Sequence, residues 1–177
     1  MRRPLVLAVD DTPASLQMLC VVLDSEGVDI AMASSGPEAL ASARSSPPNL
    51  ILLDVMMPGM DGLEVCRELK RDMGLSRVPV IFLTALADTE HIVEGFAAGC
   101  VDYVSKPFRE AELRARVRTH LELNRLRSLL PICSHCHAIR DEDDAWIPVA
   151  TYISKKAGVN FSHGICPSCL QTHYPGH

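Results

Sequence analysis

Five polar residues stand just behind short apolar runs in the first part of the chain. Asp10-Asp11 follow Leu5–Val9, Asp54 closes the run at 50–53, Thr84 follows the run at 78–83, and Lys106 lies just past the run at 103–104. Three carboxylates gathered at one spot repel each other, so without a cation at least one would be driven toward its protonated form. A hard divalent cation relieves that repulsion, and Mg²⁺ favours one or two carboxylates together with water and phosphate oxygens. Asp54, flanked by such a metal and by the Lys106 ammonium, is arranged to attack a phosphoryl donor, with the Thr84 hydroxyl hydrogen-bonding a transferring oxygen. The product of that chemistry is an aspartyl phosphate. Taken singly, each acid reads as a helix cap or a solvated loop residue. The arrival of five groups at equivalent positions favours a site.

The second constellation is built of sulfur. Of seven cysteines, Cys20, Cys66 and Cys100 are scattered, whereas Cys133 and Cys136, then Cys166 and Cys169, form two C-x2-C pairs separated by 29 residues. Two intervening residues let both thiolates of a pair reach one tetrahedral ion, and four thiolates close the shell of a structural Zn²⁺. The need for a staple is independent of the spacing: residues 131–177 are too few to stabilise an apolar core alone. The spacer exceeds the common ribbon lengths, so the pattern points to a metal without naming a zinc fold. Other chemistries compete. Cys133-Ser134-His135-Cys136-His137 also matches the C-x-x-C-H of haem attachment, which belongs outside the cytosol, and Cys166-Pro167-Ser168-Cys169 matches a redox pair but lacks a surrounding β-α unit. His135, His137, His163 and His173 could replace a cysteine, but four thiolates already suffice.

The elements that must position these groups are legible in the hydropathy. Short apolar runs at 5–9, 28–33, 50–53, 78–83 and 103–104 alternate with helical stretches at 14–25, 38–45, 63–71 and 89–98 and one beginning near Arg109. The first, third and fourth runs are nearly all apolar, as strands covered on both faces are. Gly27, Pro47-Pro48, Gly74 and Gly99 stop the helices, and Pro37 and Pro107 stand where helices are expected to begin. Strict alternation of this kind predicts an α/β domain, a parallel sheet wound with helices on both faces. Such sheets bind ligands beyond the carboxyl ends of their strands, where all five polar residues fall.

On these residues the chain resembles the receiver domain of bacterial response regulators. The resemblance is carried by Val9-Asp10-Asp11, the segment Leu53-Asp54-Val55-Met56-Met57-Pro58-Gly59-Met60-Asp61-Gly62, Leu83-Thr84-Ala85, and Val101-Asp102-Tyr103-Val104-Ser105-Lys106-Pro107-Phe108. It covers about the first 122 residues. It implies a doubly wound, flavodoxin-like sheet of five strands in the order 2-1-3-4-5, with Asp54 phosphorylated by a sensor histidine kinase or a phosphotransfer protein. It further implies that Asp11 ligates Mg²⁺ directly, that Asp10 does so directly or through water, and that the Met56 backbone carbonyl completes the protein's share. Thr84 and Tyr103 occupy the positions that couple phosphate to shape, Thr84 moving toward the phosphoryl group and Tyr103 filling the space behind it. Met56 and Leu86 lie two residues beyond Asp54 and Thr84. Neither side chain can orient a hydrolytic water, so a long-lived aspartyl phosphate is expected.

Beyond the receiver, residues 109–130 contain no Gly or Pro and form one long predicted helix. Leu113, Val117 and Leu121 make a stripe toward the sheet, while Leu123, Leu126, Leu129 and Leu130 offer a second apolar surface for the tail or for a second copy of the chain. Six arginines against three glutamates over 109–127 read as a solvated face laced with Glu–Arg pairs rather than as a DNA-contacting helix. The expected division is a receiver over 1–122, an extended helix and linker over 123–131, and a zinc-binding module over 132–177. The tail, through Leu130-Pro131-Ile132-Cys133, Ile139-Arg140-Asp141, Tyr152-Ile153-Ser154 and Phe161-Ser162-His163-Gly164-Ile165-Cys166-Pro167, resembles a short Cys-rich extension found at the C-termini of some bacterial signalling proteins.

Bulk properties agree with this division. The 177 residues are 47% hydrophobic and 22% charged with net charge −5, which fits a folded chain with no broad pull toward nucleic acid or anionic membrane. The tail carries three basic and four acidic residues, and four thiolates with one Zn²⁺ would bring it to −3, which argues against DNA as its partner. No apolar run is long enough to span a bilayer and Asp10-Asp11 interrupt any signal core, so a cytoplasmic protein is expected. The expected function is a phosphorelay response regulator whose only catalysis is its own phosphoryl transfer and dephosphorylation. Its length leaves the tail in place of a conventional output domain. Two alternatives stay open: a redox switch through the C-x2-C pairs, and a metal-tailed transcription regulator.

Overall fold

The computed structural model describes residues 3–85, 89–127, 130–141 and 143–174. The chain forms two compact units, Met1–Ser128 and Leu129–His177. In the first, strands β1 (Leu5–Val9), β2 (Asp29–Ala33), β3 (Leu50–Asp54), β4 (Val80–Thr84) and β5 (Asp102–Ser105) alternate with helices α1 (Pro13–Leu23), α2 (Gly36–Ser45), α3 (Gly62–Arg71), α4 (Thr89–Ala98) and α5 (Glu110–Arg127). All sheet pairings are parallel, in the order β2-β1-β3-β4-β5 expected from the resemblance.

Strand alternation divides the interior into two apolar layers. Leu7 and Val9 of β1, Ile51 and Leu53 of β3, and Val80 and Phe82 of β4 pack with Ala39 and Leu40 of α2 and with Val65, Cys66 and Leu69 of α3. Val6 and Ala8, Leu50 and Leu52, and Ile81 and Leu83 point the other way, onto Leu16, Leu19 and Val22 of α1 and Leu113 and Val117 of α5. Every residue of β3 and β4 is buried, which is why their runs carry no polar alternation; β2 and β5, at the edges, are only partly covered.

Local chemistry sets the helix ends. Pro13 and Pro37 stand in the first turns of α1 and α2, where the missing N–H costs nothing. Helix α1 gives way at Leu23 to a tight 3₁₀ turn, Asp24–Glu26, which Gly27 ends in the left-handed region with φ of 66°. Helix α3 starts with a reciprocal cap: the Asp61 carboxylate accepts from the Glu64 N–H at 2.8 Å and the Glu64 carboxylate from the Asp61 N–H at 3.2 Å. Pro107 departs from expectation. It follows a cis Lys106–Pro107 bond, and α5 begins at Glu110.

Helix α5 runs unbroken through 127, so residues 123–127 belong to the first unit. Leu113, Val117 and Leu121 face the core as expected, while Leu123, Leu126 and Leu130 are exposed. Leu129 lies outside the described residues. The arginines of α5 pair along the helix, Arg114 with Glu110 at 3.1 Å and Arg116 with Glu112 at 3.0 Å, and across it, Arg118 with Glu26 at 3.0 Å.

The second unit is sparse. A short antiparallel hairpin, β6 (Ile139–Arg140) with β7 (Trp146–Ile147), leads to α6 (Val149–Ala157) and, after an irregular connector, to α7 (Pro167–His173). Among its described residues Ile139 alone is fully buried, and all of 155–174 are exposed. No described helix is long and apolar enough to cross a membrane.

Candidate functional site

The parallel register places Val9 beside Leu53, and the residues that follow them, Asp10 and Asp54, emerge at the carboxyl edge of the sheet. Asp10 is fully buried and Asp54 nearly so, while Asp11 is exposed to solvent. Carboxylate oxygens of the three lie within 4.8 Å of one another, close enough to share one cation. Lys106 reaches in from the end of β5, its Nζ 2.7 Å from Asp10 Oδ2 and 2.9 Å from Asp54 Oδ2. The backbone fixes the remaining oxygens: the Thr12 N–H donates to Asp10 Oδ1 at 2.9 Å and the Met56 N–H to Asp54 Oδ1 at 3.3 Å.

Burial pushes the Asp54 carboxyl above the ordinary aspartate value; the Lys106 hydrogen bond and charge pull it back only in part, and neighbouring Asp10 adds to the rise. Burial works against the Lys106 ammonium too, but its hydrogen bonds to Asp10 and Asp54 outweigh that and hold it above the usual lysine value. Three carboxylates against one ammonium leave formal charge −2. That donor set, all hard oxygen with a carboxylate open to solvent, suits a divalent cation that keeps part of its water.

Gly62 allows the loop after β3 to close on the site. A Cβ there would lie 2.2 Å from the Asp54 carbonyl oxygen and 2.8 Å from Val55 Cα, so no larger residue fits without moving the backbone that carries Asp54. Thr84, at the end of β4, is buried and lines a small apolar cavity with Val55, Phe82, Ile92, Cys100 and Tyr103. Tyr103 is half-buried against the core and meets Phe96 edge to face, with centroids 6.3 Å apart. Thr84 and Tyr103, on the neighbouring strands β4 and β5, thus border one space. Met56 is exposed beside Asp54, and Leu86 lies outside the described residues.

A second charged cluster, with no signal in the sequence pattern, lies at the other end of β5 from Lys106. Asp102, at the start of β5, accepts two hydrogen bonds from Arg116 Nη1 at 2.7 and 2.9 Å and lies 3.1 Å from His120 Nε2. The spacing of arginines and glutamates on α5 predicts pairs within the helix and carries no sign of a partner on β5.

The structure does not gather the four tail cysteines. Among the described residues, the carboxylate trio is the one group of three or more ligating side chains close enough to share an ion. Each pair is instead formed locally. Cys133 opens a turn in which its N–H donates to the Ala138 carbonyl at 2.8 Å and the His137 N–H to the Cys133 carbonyl at 3.0 Å, with His137 at φ of 58°. The N–H groups of Cys136 and His135 lower the Cys133 thiol below its ordinary value. Cys166 precedes α7, and its thiol is lowered to about 7 by the Ser168 hydroxyl at 3.1 Å and then by the Cys169 N–H. The physical reason for the separation is the exposed surface of 155–174, where no described residue is buried to fix α7 in place. His135, His137, His163 and His173 are all exposed.

A buried aspartate at the end of the third strand, bridged by lysine to a second aspartate, on a 2-1-3-4-5 sheet, defines a receiver-type α/β domain. The chain belongs to the response regulator receiver domain family, whose model matches residues 6–118. It is 48% identical over 122 residues to the DNA-binding response regulator MtrA of Mycolicibacterium smegmatis, a match covering 69% of this chain and 52% of that protein. It is 43% identical over 114 residues to the response regulator PleD of Caulobacter vibrioides, covering 64% of this chain and 25% of that one. Among solved structures, a response regulator from Chloroflexus aurantiacus superposes with TM-score 0.66 at 35% identity, over 68% of this chain and 99% of that one. The chemotaxis protein CheY4 of Vibrio cholerae does so with TM-score 0.64 at 31% identity, over 67% and 98%. The chain spans about half the length of the MtrA relatives it matches. Because those relatives are named as DNA-binding, the expectation that DNA plays no part is not supported; the −3 charge on which it rested describes the tail alone.

Proposed function

We propose that this chain is a phosphorylation switch in which Asp54 accepts a phosphoryl group from a phosphohistidine on a sensor kinase or phosphotransfer protein. An Asp54 oxygen forms the new P–O bond as the P–N bond breaks, and the histidine leaves as neutral imidazole after taking up a proton. The observation that carries this reading is Asp54 itself, buried at the strand end with Lys106 Nζ at 2.9 Å and two further carboxylates within 4.8 Å. Asp10, Asp11, Asp54 and the Met56 carbonyl would hold Mg²⁺, which when bound offsets the charge of the phosphoryl oxygens. Lys106 orients Asp54 and supplies a fixed cation for the charge that develops in transfer. Thr84 donates its hydroxyl to a phosphoryl oxygen, and the space it leaves beside Tyr103 lets the β4–β5 edge change shape. The protein works in the cytoplasm as a switch, turning over nothing but its own phosphoryl group. Its output is altered binding, of a protein partner or a second copy, through α5 and the tail.

The tail is read as a structural Zn²⁺ module held by Cys133, Cys136, Cys166 and Cys169. A second reading is favoured by the exposure of Cys166 and the Ser168 hydroxyl 3.1 Å from its sulfur, a setting that lowers the thiol to about 7 and suits a redox switch. Zinc content under mild peroxide separates the two. Retained metal supports the structural site; loss with reversible disulfide formation supports the sensor. The names of the MtrA relatives keep DNA among the targets to be tested, by comparing duplex binding with and without phosphorylation.

The test of the switch is incubation of the protein and its Asp54→Asn variant with Mg²⁺ and a small phosphoryl donor. Addition of one phosphoryl group to the wild type alone, read by intact mass, supports the reading. Equal labelling of both, or of neither, overturns it.

A further inference from the structure

The two halves of the tail present matching unsatisfied surfaces. In the first half, Ile132 bridges to Ile139 and Ile139 pairs with Ile147, while Arg140 pairs with Trp146. Directly opposed residues of an antiparallel pair share a face, so Ile132, Ile139 and Ile147 lie on one side of this small sheet. By the same alternation Cys133, whose N–H bonds to Ala138, falls on the other side with Trp146. On the first side Ile139 is buried, with Ile132 exposed at its edge; on the second, Trp146 is 53% exposed. In the second half, Cys166 stands just before α7, and Cys169 and Leu170 follow it at i+3 and i+4 within the helix, with exposed Ile165 and Tyr174 flanking the segment. A partner that engages Cys166 and Cys169 together therefore meets the first turns of α7, which carry Leu170.

We propose that one Zn²⁺, bound by all four cysteines, draws α7 across the open face of the β6–β7 hairpin and buries Trp146 beneath it. This rests on the reading that the tail holds zinc, and it adds a metal-driven closure within the chain. The occupant of the exposed tryptophan face is then the chain's own α7. Three features of the tail support that choice. Cys133 sits on the same face as Trp146; Cys169 and Leu170 stand three and four residues after Cys166 at the start of α7; and the connector from Gly158 to Cys166 is irregular and exposed. Eight residues of extended chain reach about 26 Å, ample to swing α7 onto the hairpin. The covalent connection gives this docking a high effective concentration. Free energy of metal binding supplies what a core this small cannot, so the second half of the tail folds with the metal.

Trp146 is the sole tryptophan of the chain, so its emission reports the tail without interference from the receiver. The metal-free, reduced full-length protein is titrated with Zn²⁺. The expected result is a blue shift and loss of acrylamide quenching that saturate at one Zn²⁺ per chain, reverse with chelator, and do not occur with Mg²⁺. The double variant Cys166→Ser, Cys169→Ser loses the shift, and Leu170→Asp binds zinc at the same stoichiometry with a diminished one. Binding of one Zn²⁺ per chain to four thiolates, shown by the charge-transfer spectrum of a Co²⁺ substitute, with unshifted Trp146 emission would overturn the closure while leaving the zinc reading intact. Absence of zinc binding overturns both. Saturation at one Zn²⁺ per two chains, with the mass of a dimer, overturns closure within one chain.

Discussion

Lys106 holds two carboxylates at once, and the charge balance of the site depends on it. Lys106→Met would leave Asp10 and Asp54 facing each other without a fixed cation, and phosphorylation from a small donor should slow by a factor on the order of 10² to 10³. The assay is the initial rate at saturating Mg²⁺; an unchanged rate would remove Lys106 from the chemistry. Met56 bears on the proposed hydrolysis of the aspartyl phosphate. Its exposed thioether beside Asp54 cannot position water, so Met56→Asn, which adds one hydrogen-bonding group, should speed loss of the phosphoryl group by roughly tenfold. A decay time equal to that of the wild type would show that the apolar side chain is not what protects the acyl phosphate.

The elements around the site carry constraints that can be tested one by one. Gly62→Ala places a methyl group against the Asp54 carbonyl and the Val55 backbone, neither of which can yield cheaply, so urea denaturation should show a loss of about 2–4 kcal/mol. Asp102 ties β5 to α5. Burial alone would raise its carboxyl, but hydrogen bonds from Arg116, the Tyr103 N–H and His120 hold it below the ordinary aspartate value. A lowered folded value means that the stabilisation is present above the unfolded pKa of about 3.9 and disappears as pH falls through the folded one. Wild type should therefore exceed Asp102→Asn by roughly 1 kcal/mol near neutral pH, with the two denaturation curves converging in acid. A difference that persisted at low pH would point to packing instead. Legibility in the sequence follows the same physics. Strands β3 and β4 were readable because burial on both faces leaves an uninterrupted apolar run, and the strand-end rule then located Asp10, Asp54, Thr84 and Lys106. The Asp102–Arg116–His120 cluster was not, because it joins an edge strand to a helix face that sequence alone reads as solvated. Pro107 was misplaced for a related reason: a proline near a helix start does not say how many residues of loop precede the first turn. The need for Gly62 was likewise hidden, since only three-dimensional proximity brings its Cα against Asp54.

At the scale of the molecule, the receiver carries its own two apolar layers and the tail has almost none, so the two units should respond to different agents. Removal of the proposed zinc from the full-length protein should alter the Trp146 signal while leaving the receiver's unfolding free energy, from urea denaturation followed by far-ultraviolet circular dichroism, within about 0.5 kcal/mol of its value. Coincident loss of both would mean that the tail stabilises the receiver. The cysteine pairs were legible as pairs, but their separation in the fold was not, because it depends on how little else holds α7 in place. The central claim, however, concerns the receiver's buried carboxylate. Its most direct measurement is peptide mapping after phosphorylation with Mg²⁺ and reduction of the acyl phosphate with borohydride, which converts a phosphorylated aspartate to homoserine. The account predicts homoserine at position 54 and at no other aspartate; conversion at Asp10 or Asp11, or none at Asp54, would contradict it.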